Sequence, residues 1–464
     1  MTTAPTTTRQ AHLPHPPGPM GSWPQGVLKQ FQEEPLMAMM QMFREYGGCA
    51  IRFRAALNFY GYLFFHPDHN KHILQDNNRN YTKMPHPSLA LLRPVVGNGL
   101  LTSDGDFWRR QRRLAAPAFH RKRIADFSTT MTAATDTMLQ NWHTIAKDGR
   151  PLDINEAMMH LTLEIVGKTL FSIDLTREAD TVGDAFSAVN EEITHLTSIP
   201  FADIGLKIPF LPSTRRVNKH TAVLTDIVHG IIQERRQSGL EAEDLLGMLM
   251  AARDEDTGEG MSDQQLHDEV MTIMLAGHET TAVSLAWTFY LLSEHPEVLA
   301  ELEAEVDGVL NGRLPTIDDV PALTYTTMVI EESMRLYPPA YAIARWGNEE
   351  DEVGGYYVPK NAVVTMSPYV THRHPEFWDA PERFDPQRFT PEQKAERPRF
   401  AYLPFGGGPR QCIGNSFAMT EAILLLTSIV QRYRLSLVPG TKVELEPLIT
   451  LRPKGKLLMT LIER

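Results

Sequence analysis

The run Phe405-Gly406-Gly407-Gly408-Pro409-Arg410-Gln411-Cys412-Ile413-Gly414 places one thiol behind a glycine-rich loop, at the start of an apolar helical pattern. Glycines let backbone approach something flat or bulky. At the mouth of a helix, the dipole and the free N–H groups stabilise a thiolate. Such a thiolate is a good soft ligand for iron. Arg410, two residues earlier, can reach a nearby anion. A second group of polar residues, His278-Glu279-Thr280-Thr281, interrupts an apolar helical pattern. Buried polar groups are costly unless paired, so they need a reason. A mid-helix Thr can bond back to a carbonyl, which is the plain alternative for Thr281. A zinc-peptidase use of His278-Glu279 fails, because position 282 is Ala282 rather than His. Glu332 and Arg335, three apart on a helix, face one side and can pair.

The elements that must position these residues are mostly helices. From about Asp106 to Leu310 apolar residues recur at helical spacing, with Pro and Gly marking loops. Before that, a short β-like stretch lies near Cys49 to Phe64. Ile199 to Ser213 reads as an apolar, Pro-interrupted loop. Ser262 with Gln265 forms a capping-box signature. Periodic apolar residues then run to Leu292, and His295-Pro296 stops them. The resulting helix, on the order of 30 residues and about 45 Å long, should cross the whole molecule. His278 to Thr281 in its middle exclude a membrane span. A shorter helix over Thr324 to Leu336 ends at Pro338-Pro339. Val353 to Pro368 predicts a β-hairpin turning at Pro359-Lys360-Asn361. His372 to Pro404 is aperiodic and Pro-rich, which marks a functional or tightly packed connection. A long helix follows the cysteine through about Gln431, and strands run to Arg464.

Composition narrows the classes. The chain has 464 residues, a net charge of −12 and two cysteines, Cys49 and Cys412. The acidic balance argues against a general nucleic-acid binder. Two cysteines exclude a disulfide scaffold and a zinc ribbon. The first residues are polar, with no apolar export segment, and no stretch is apolar for the roughly 18 residues a spanning helix needs. The expectation is a soluble cytoplasmic protein without a membrane anchor.

The cysteine segment resembles the cytochrome P-450 haem-binding signature, F-x-x-G-x-R-x-C-x-G, at Phe405, Gly408, Arg410, Cys412 and Gly414. Three further motifs fit that family. Glu332 to Arg335 resembles E-x-x-R, with Arg383 implied as the third member of a structural triad that holds the cysteine loop. Trp108 to Arg112 resembles W-x-x-x-R, and Arg345 stands where the family places another propionate-binding arginine. Ala276 to Thr280 resembles the A/G-G-x-E/D-T oxygen-binding motif. The resemblance implies a mainly α fold with small β-sheets. Its shape would be a triangular helix-rich prism, with haem between a long central helix and the cysteine loop. Residues 1–20 would be an extended Pro-rich lead-in and 21–464 a single catalytic domain.

It also implies haem b as cofactor, with Cys412 as the iron ligand and Phe405 packed beside the sulfur. Arg410, Trp108, Arg112 and Arg345 would face the propionates. Thr280 would donate a hydrogen bond to bound O2, and Glu279 would feed protons through water. Pocket walls would come from the Pro85–Leu100 loop, the Ile199–Phe210 region, Leu275-Ala276, Ala342-Ile343 and the tip at Ile449-Thr450. The activity implied is monooxygenation of an apolar substrate: a fatty acid, terpenoid, steroid or polyketide. Electrons would come from a separate ferredoxin or flavodoxin-type donor. Trp108 to Arg123 holds seven basic residues and no acidic one, so an acidic donor is expected near Arg109, Arg110 and Arg113 of a monomeric enzyme. A peroxygenase or hydroperoxide isomerase is the alternative, disfavoured because Glu279-Thr280 is intact. A haem gas sensor would leave those residues without a task.

Overall fold

The Ser262 side chain accepts from the Gln265 N–H, and the Gln265 side chain accepts in return from Ser262 N–H. This reciprocal cap starts a helix of 32 residues, Asp263–Glu294, which stops at His295 before Pro296. It is the central helix, and it is buried nearly all round, polar residues such as Asp268, Glu269, His278 and Glu279 included. The computed structural model describes residues 13–464 other than 198, 200, 201, 209, 240–243 and 254–257, and without the side chains at 203 and 204.

Helices pack around this axis. Ile154–Leu170 lies along it, with the Thr162 hydroxyl donating to the His278 carbonyl at 3.0 Å. Arg121–Lys147, Ala179–Thr197, Pro212–Ser238, Pro296–Leu310, Thr324–Leu336 and Asn415–Arg432 also contribute to the main core. The helices expected over Thr324 to Leu336 and after the cysteine are present at those places. The Ile199–Ser213 segment is not all loop. It contains the short helix Ala202–Gly205 and leads into the long helix that starts at Pro212.

The sheets are small. β1 (Ala50–Ala56) and β2 (Phe59–Phe64) form a hairpin, as the β-like stretch predicts. With β3 (Tyr81–Thr82), β5 (Ile343–Gly347) and β8 (Val363–Met366) they make a five-stranded sheet of order β1-β2-β8-β5-β3. β4 (Leu152–Asp153), β12 (Leu458–Glu463) and β9 (Tyr433–Leu437) make a second sheet. β10 (Leu445–Pro447) and β11 (Leu451–Pro453) form a hairpin with its tip at Leu448–Thr450.

The hairpin predicted over Val353 to Pro368 is wrong in its pairing. β6 (Asp351–Val353) pairs with β7 (Tyr356–Val358), and the turn is Gly354-Gly355, both at positive φ. Two such positions suit a tight hairpin turn better than Pro359-Lys360-Asn361 does. β8 instead pairs in parallel with β2 and antiparallel with β5.

The lead-in is extended where it is described. Pro17 and Pro19 accept from the N–H groups of Arg52 and Arg54 on β1, and Pro14 accepts from Tyr357 N–H. Its residues 1–12 lie outside the described residues. Among the described residues, no helix is long and apolar enough to cross a membrane.

Candidate active site

The loop around Cys412 is anchored from both ends. Cys412 N–H donates to the Phe405 carbonyl at 2.9 Å, closing the turn. Gly408 has φ +66°, and a Cβ there would lie 1.8 Å from the Leu74 carbonyl oxygen. Only glycine fits that approach. Burial pushes the Cys412 thiol up, while the Gly414 N–H and the charges of Arg112 and Lys83 pull it back toward thiolate. Cys412 keeps accessible surface although it lies deep among protein atoms.

The central helix leaves a matching opening. From Leu266 to Phe289 only Ala276, Gly277 and Thr280 are not buried. Their spacings of three and four from Thr280 put them on one helical face. Leu275 is buried in the core, so Ala276 is the member of that expected wall pair that presents surface. Ala342, Ile343 and Ile449 also keep accessible surface. The Thr280 hydroxyl donates back to the Ala276 carbonyl at 2.8 Å.

Glu279 goes elsewhere. Its carboxyl accepts from Asn190 Nδ2 at 3.1 Å and from the Thr450 hydroxyl at 3.0 Å. Burial pushes it up to about 7, against the bonds from Thr450 and Asn190 and the charge of Arg452. Asn190 also accepts from the Ile449 N–H at 2.8 Å. Glu279 thus ties the helix Ala179–Thr197 and the β10–β11 tip to the central helix. Asn190 gave no signal in the sequence, being one amide on an ordinary amphipathic helix.

Cations gather beside the cysteine loop, Arg345 buried and Lys83, Arg112 and Arg410 half-buried. Arg410 donates to Asp104 at 2.5 Å and to the Ser103 carbonyl at 2.7 Å, and its guanidinium lies 4.0 Å from the Trp108 ring centroid. Arg112 lies 5.8 Å from the same ring. Arg345, on β5, is buried, and burial lowers it to about 10, as it does Arg410. Sequence reasoning missed Lys83, His86 and Asp104, which sit in irregular segments with no periodicity to flag them. The Lys83 ammonium donates to the Leu101 carbonyl at 2.6 Å, and burial together with Arg345 and Arg410 lowers its pKa. Arg410 Nη1 and His86 Nε2 are buried without a partner among the described residues. Asp104 is one carboxylate among Lys83, Arg112, Arg345 and Arg410. Such a cluster is costly unless further anions complete it. A flat group bearing two carboxylates fits that requirement.

The ion-pair motif is fully buried. Arg335 donates to Glu332 through Nε at 2.6 Å and Nη2 at 2.8 Å. It also donates to the carbonyls of His372 at 2.9 Å, Pro381 at 2.7 Å and Arg383 at 3.0 Å. His372 bridges onward: Nδ1 meets the Arg335 carbonyl at 3.2 Å, and Nε2 accepts from the Leu403 N–H at 3.0 Å. Leu403 lies two residues before Phe405, so the pair holds the cysteine loop through one imidazole. The expectation for Arg383 is corrected. Only its carbonyl joins the network; its exposed side chain lies 3.6 Å from Asp385. The second arginine on Glu332 is Arg388, at 3.4 Å and largely buried. A sequence shows which arginines are near, but not which backbone turn points one inward.

The sequence matches the Cytochrome P450 family over residues 16–459. The chain belongs to the cytochrome P450 family. This P450 is 40% identical over 391 residues to a cyclooctatin synthase of Streptomyces melanosporofaciens, covering 84% of each chain. It is 40% identical over 350 residues to a cyclooctat-9-en-7-ol 5-monooxygenase of the same organism, covering 75% of each. It is 36% identical to a pentalenene oxygenase of Streptomyces avermitilis, covering 80% of this chain and 81% of that one. Its fold matches the crystal structure of the cytochrome P450DA heme domain with a TM-score of 0.87 and 28% identity, over 97% of this chain and 98% of that one. The P450 fold is therefore present, haem is the cofactor, and the enzyme is an oxygen-incorporating oxidoreductase. The cation cluster suits the two haem propionates.

The basic helix Gly105–Ala115 opens on a groove of about 520 Å³, lined by Asn78, Arg79, Trp108, Arg109, Arg112, Arg113, Ala116 and Pro409. Arg110 is not among these residues. It donates to the Glu259 carbonyl at 3.1 Å.

Proposed function

We propose that this P450 hydroxylates or epoxidises a polycyclic terpenoid, and that Cys412 would hold the haem iron. The observation that carries the ligand role is the Cys412 thiol, deep in the protein yet accessible, receiving the Gly414 N–H with the charges of Arg112 and Lys83 near it. The substrate class is supported by the names of two relatives, a cyclooctat-9-en-7-ol monooxygenase and a pentalenene oxygenase. It also suits the largely apolar surface at Ala276, Ala342, Ile343 and Ile449. We further propose that residues 21–464 work as one catalytic domain.

When bound, haem supplies reductive activation of O2, so that one oxygen atom enters the substrate and the other leaves as water. The protein supplies ligation, orientation and protons. Arg112, Arg345, Arg410, Lys83 and His86 would hold the propionates through charge-assisted bonds. Trp108 would pack beside them. The Thr280 hydroxyl can turn from the Ala276 carbonyl toward the cleft and donate there. A Glu279 that titrates near neutrality is matched to proton transfer, but it must first leave Asn190 or Thr450. A donor protein with an acidic face would seat against the groove of Arg79, Arg109 and Arg113, bringing electrons to the side that carries Cys412.

A binding screen tests this reading. Polycyclic terpenes and terpene alcohols should shift the Soret band of the ferric enzyme at lower concentration than fatty acids or steroids. Preference for acyl chains would overturn the substrate class. Cys412→Ser should abolish the thiolate-type band of the reduced carbon-monoxide complex. Retention of that band would overturn the ligand assignment.

A further inference from the structure

The segment Gly97-Asn98-Gly99-Leu100 follows the helix Pro87–Val96 and closes against the first third of the central helix. It is held there by side chains that read its backbone. The Asp268 carboxylate accepts from Asn98 N–H at 2.7 Å, and Glu269 accepts from Leu100 N–H at 3.0 Å. One turn on, the Thr272 hydroxyl donates to the Val96 carbonyl at 3.2 Å. The loop lies flush on the helix. A Cβ on Gly97 would fall 2.1 Å from the Asp268 carboxyl carbon, and one on Gly99 would fall 2.4 Å from Thr272 Oγ1.

Both acids are buried, Asp268 at 5% and Glu269 at 1% exposure. Asp268 is well supported: it also accepts from Gln264 at 2.8 Å and meets His267 Nδ1 at 3.2 Å. Glu269 is not, because its Oε1 has no partner among the described residues and burial pushes it up to about 8. A buried acid left half-satisfied costs stability. Apolar packing alone could seat the loop more cheaply. What the acids add is register, since each fixes one N–H at one height on the helix. Asp268 stands eight residues before Ala276, or about 12 Å along the axis. The loop is therefore set against the same rigid element that carries the open face Ala276–Thr280.

We propose that Asp268 and Glu269 are positioning residues that clamp the loop 97–100 to the central helix and thereby set the width of the substrate pocket. This rests on the reading of that loop as pocket wall. The clamp acts through the loop backbone.

The test uses the haem-loaded enzyme and two readouts. Hydrogen exchange in peptides covering 97–102 reports the clamp, and azole titrations followed in the Soret band report the pocket. Glu269→Leu and Asp268→Leu should raise exchange there by about tenfold, the loss of one buried bond. The same variants should weaken clotrimazole, which touches the walls, by about tenfold, and imidazole, which does not, by less than about twofold. Glu269→Gln keeps an acceptor and should restore both. Gly99→Ala pushes the loop off Thr272 with the acids intact, and should copy the Leu variants if those fold poorly. Unchanged exchange, or raised exchange with an unchanged clotrimazole-to-imidazole ratio, would overturn the proposal. A parent without the thiolate-type carbon-monoxide band would instead sink the haem-ligand reading, and the exchange data would still decide the clamp.

Discussion

Replacing Arg335 should be far more damaging than replacing Glu332, and replacing Arg383 should do almost nothing. The structure supplies the inequality. Arg335 donates five bonds: two to Glu332 and three to the carbonyls of His372, Pro381 and Arg383. Arg335→Leu leaves the buried Glu332 carboxylate with only Arg388 and the Asp385 N–H, at about 3–5 kcal/mol, and strands three carbonyls, at about 1–3 kcal/mol each. Even at the low end this is about 6 kcal/mol, within the 5–15 kcal/mol that holds a whole domain together. Glu332→Leu removes two bonds and the acceptor of Asp385 N–H. It leaves Arg335 solvated by its three carbonyls, so the cost should stay near about 3–5 kcal/mol. Arg383→Ala keeps the carbonyl that is used and loses only an exposed side chain, within about 0.5 kcal/mol of the parent. Urea unfolding followed by tryptophan fluorescence measures all three, because Trp378 is buried with Arg335 5.1 Å from its ring. Haem content after purification gives a second measure. If Arg383→Ala unfolds with Arg335→Leu, or Glu332→Leu unfolds first, the carbonyl-based account is wrong.

Arg388→Ala, removing the cation 3.4 Å from Glu332, should cost about 1–2 kcal/mol in the same assay, more than Arg383→Ala. Gly408→Ala should fail to retain haem, because the added carbon meets the Leu74 carbonyl at 1.8 Å; a normal haem content would refute the close-approach argument. Glu269 is held neutral up to about 8, against about 4.3 for a free glutamate. The stability of its neutral form is complete below about pH 4 and is lost as pH rises through 8. Against Glu269→Gln, the parent should therefore lose about 1 kcal/mol between about pH 7 and 9, read as a falling urea midpoint; a constant gap between the two proteins would show that this carboxyl is already ionised. Arg109→Glu and Arg113→Glu should slow reduction by a ferredoxin-type donor and weaken its salt dependence, while stopped-flow rates equal to the parent would place the donor elsewhere.

Local signals decided more of this protein than its length would lead one to expect. The capping box at Ser262, the stop at Pro296 and the apolar run between them are short-range facts, and the central helix follows them closely. The cysteine loop was equally legible, because its glycines, its helix start and its arginine fall within a few consecutive residues. What the chain alone did not determine were particular turns and pairings. The resemblance implies Arg383 beside the ion pair, but the turn after Pro381 sends its side chain outward and that of Arg388 inward. The sequence pattern puts a hairpin turn at Pro359-Lys360-Asn361, but the chain turns at Gly354-Gly355, and β8 pairs with β2 and β5 instead. Glu279 was read as a proton carrier from its place in a motif, and its partners Asn190 and Thr450 come from segments distant in the chain. Lys83, His86, Asp268 and Glu269 matter only because folding buries them against particular backbone or charge. Hydrophobic periodicity reports which face turns inward; it carries no information on which buried polar atoms will meet, since that depends on distances between segments that only the packed chain brings together.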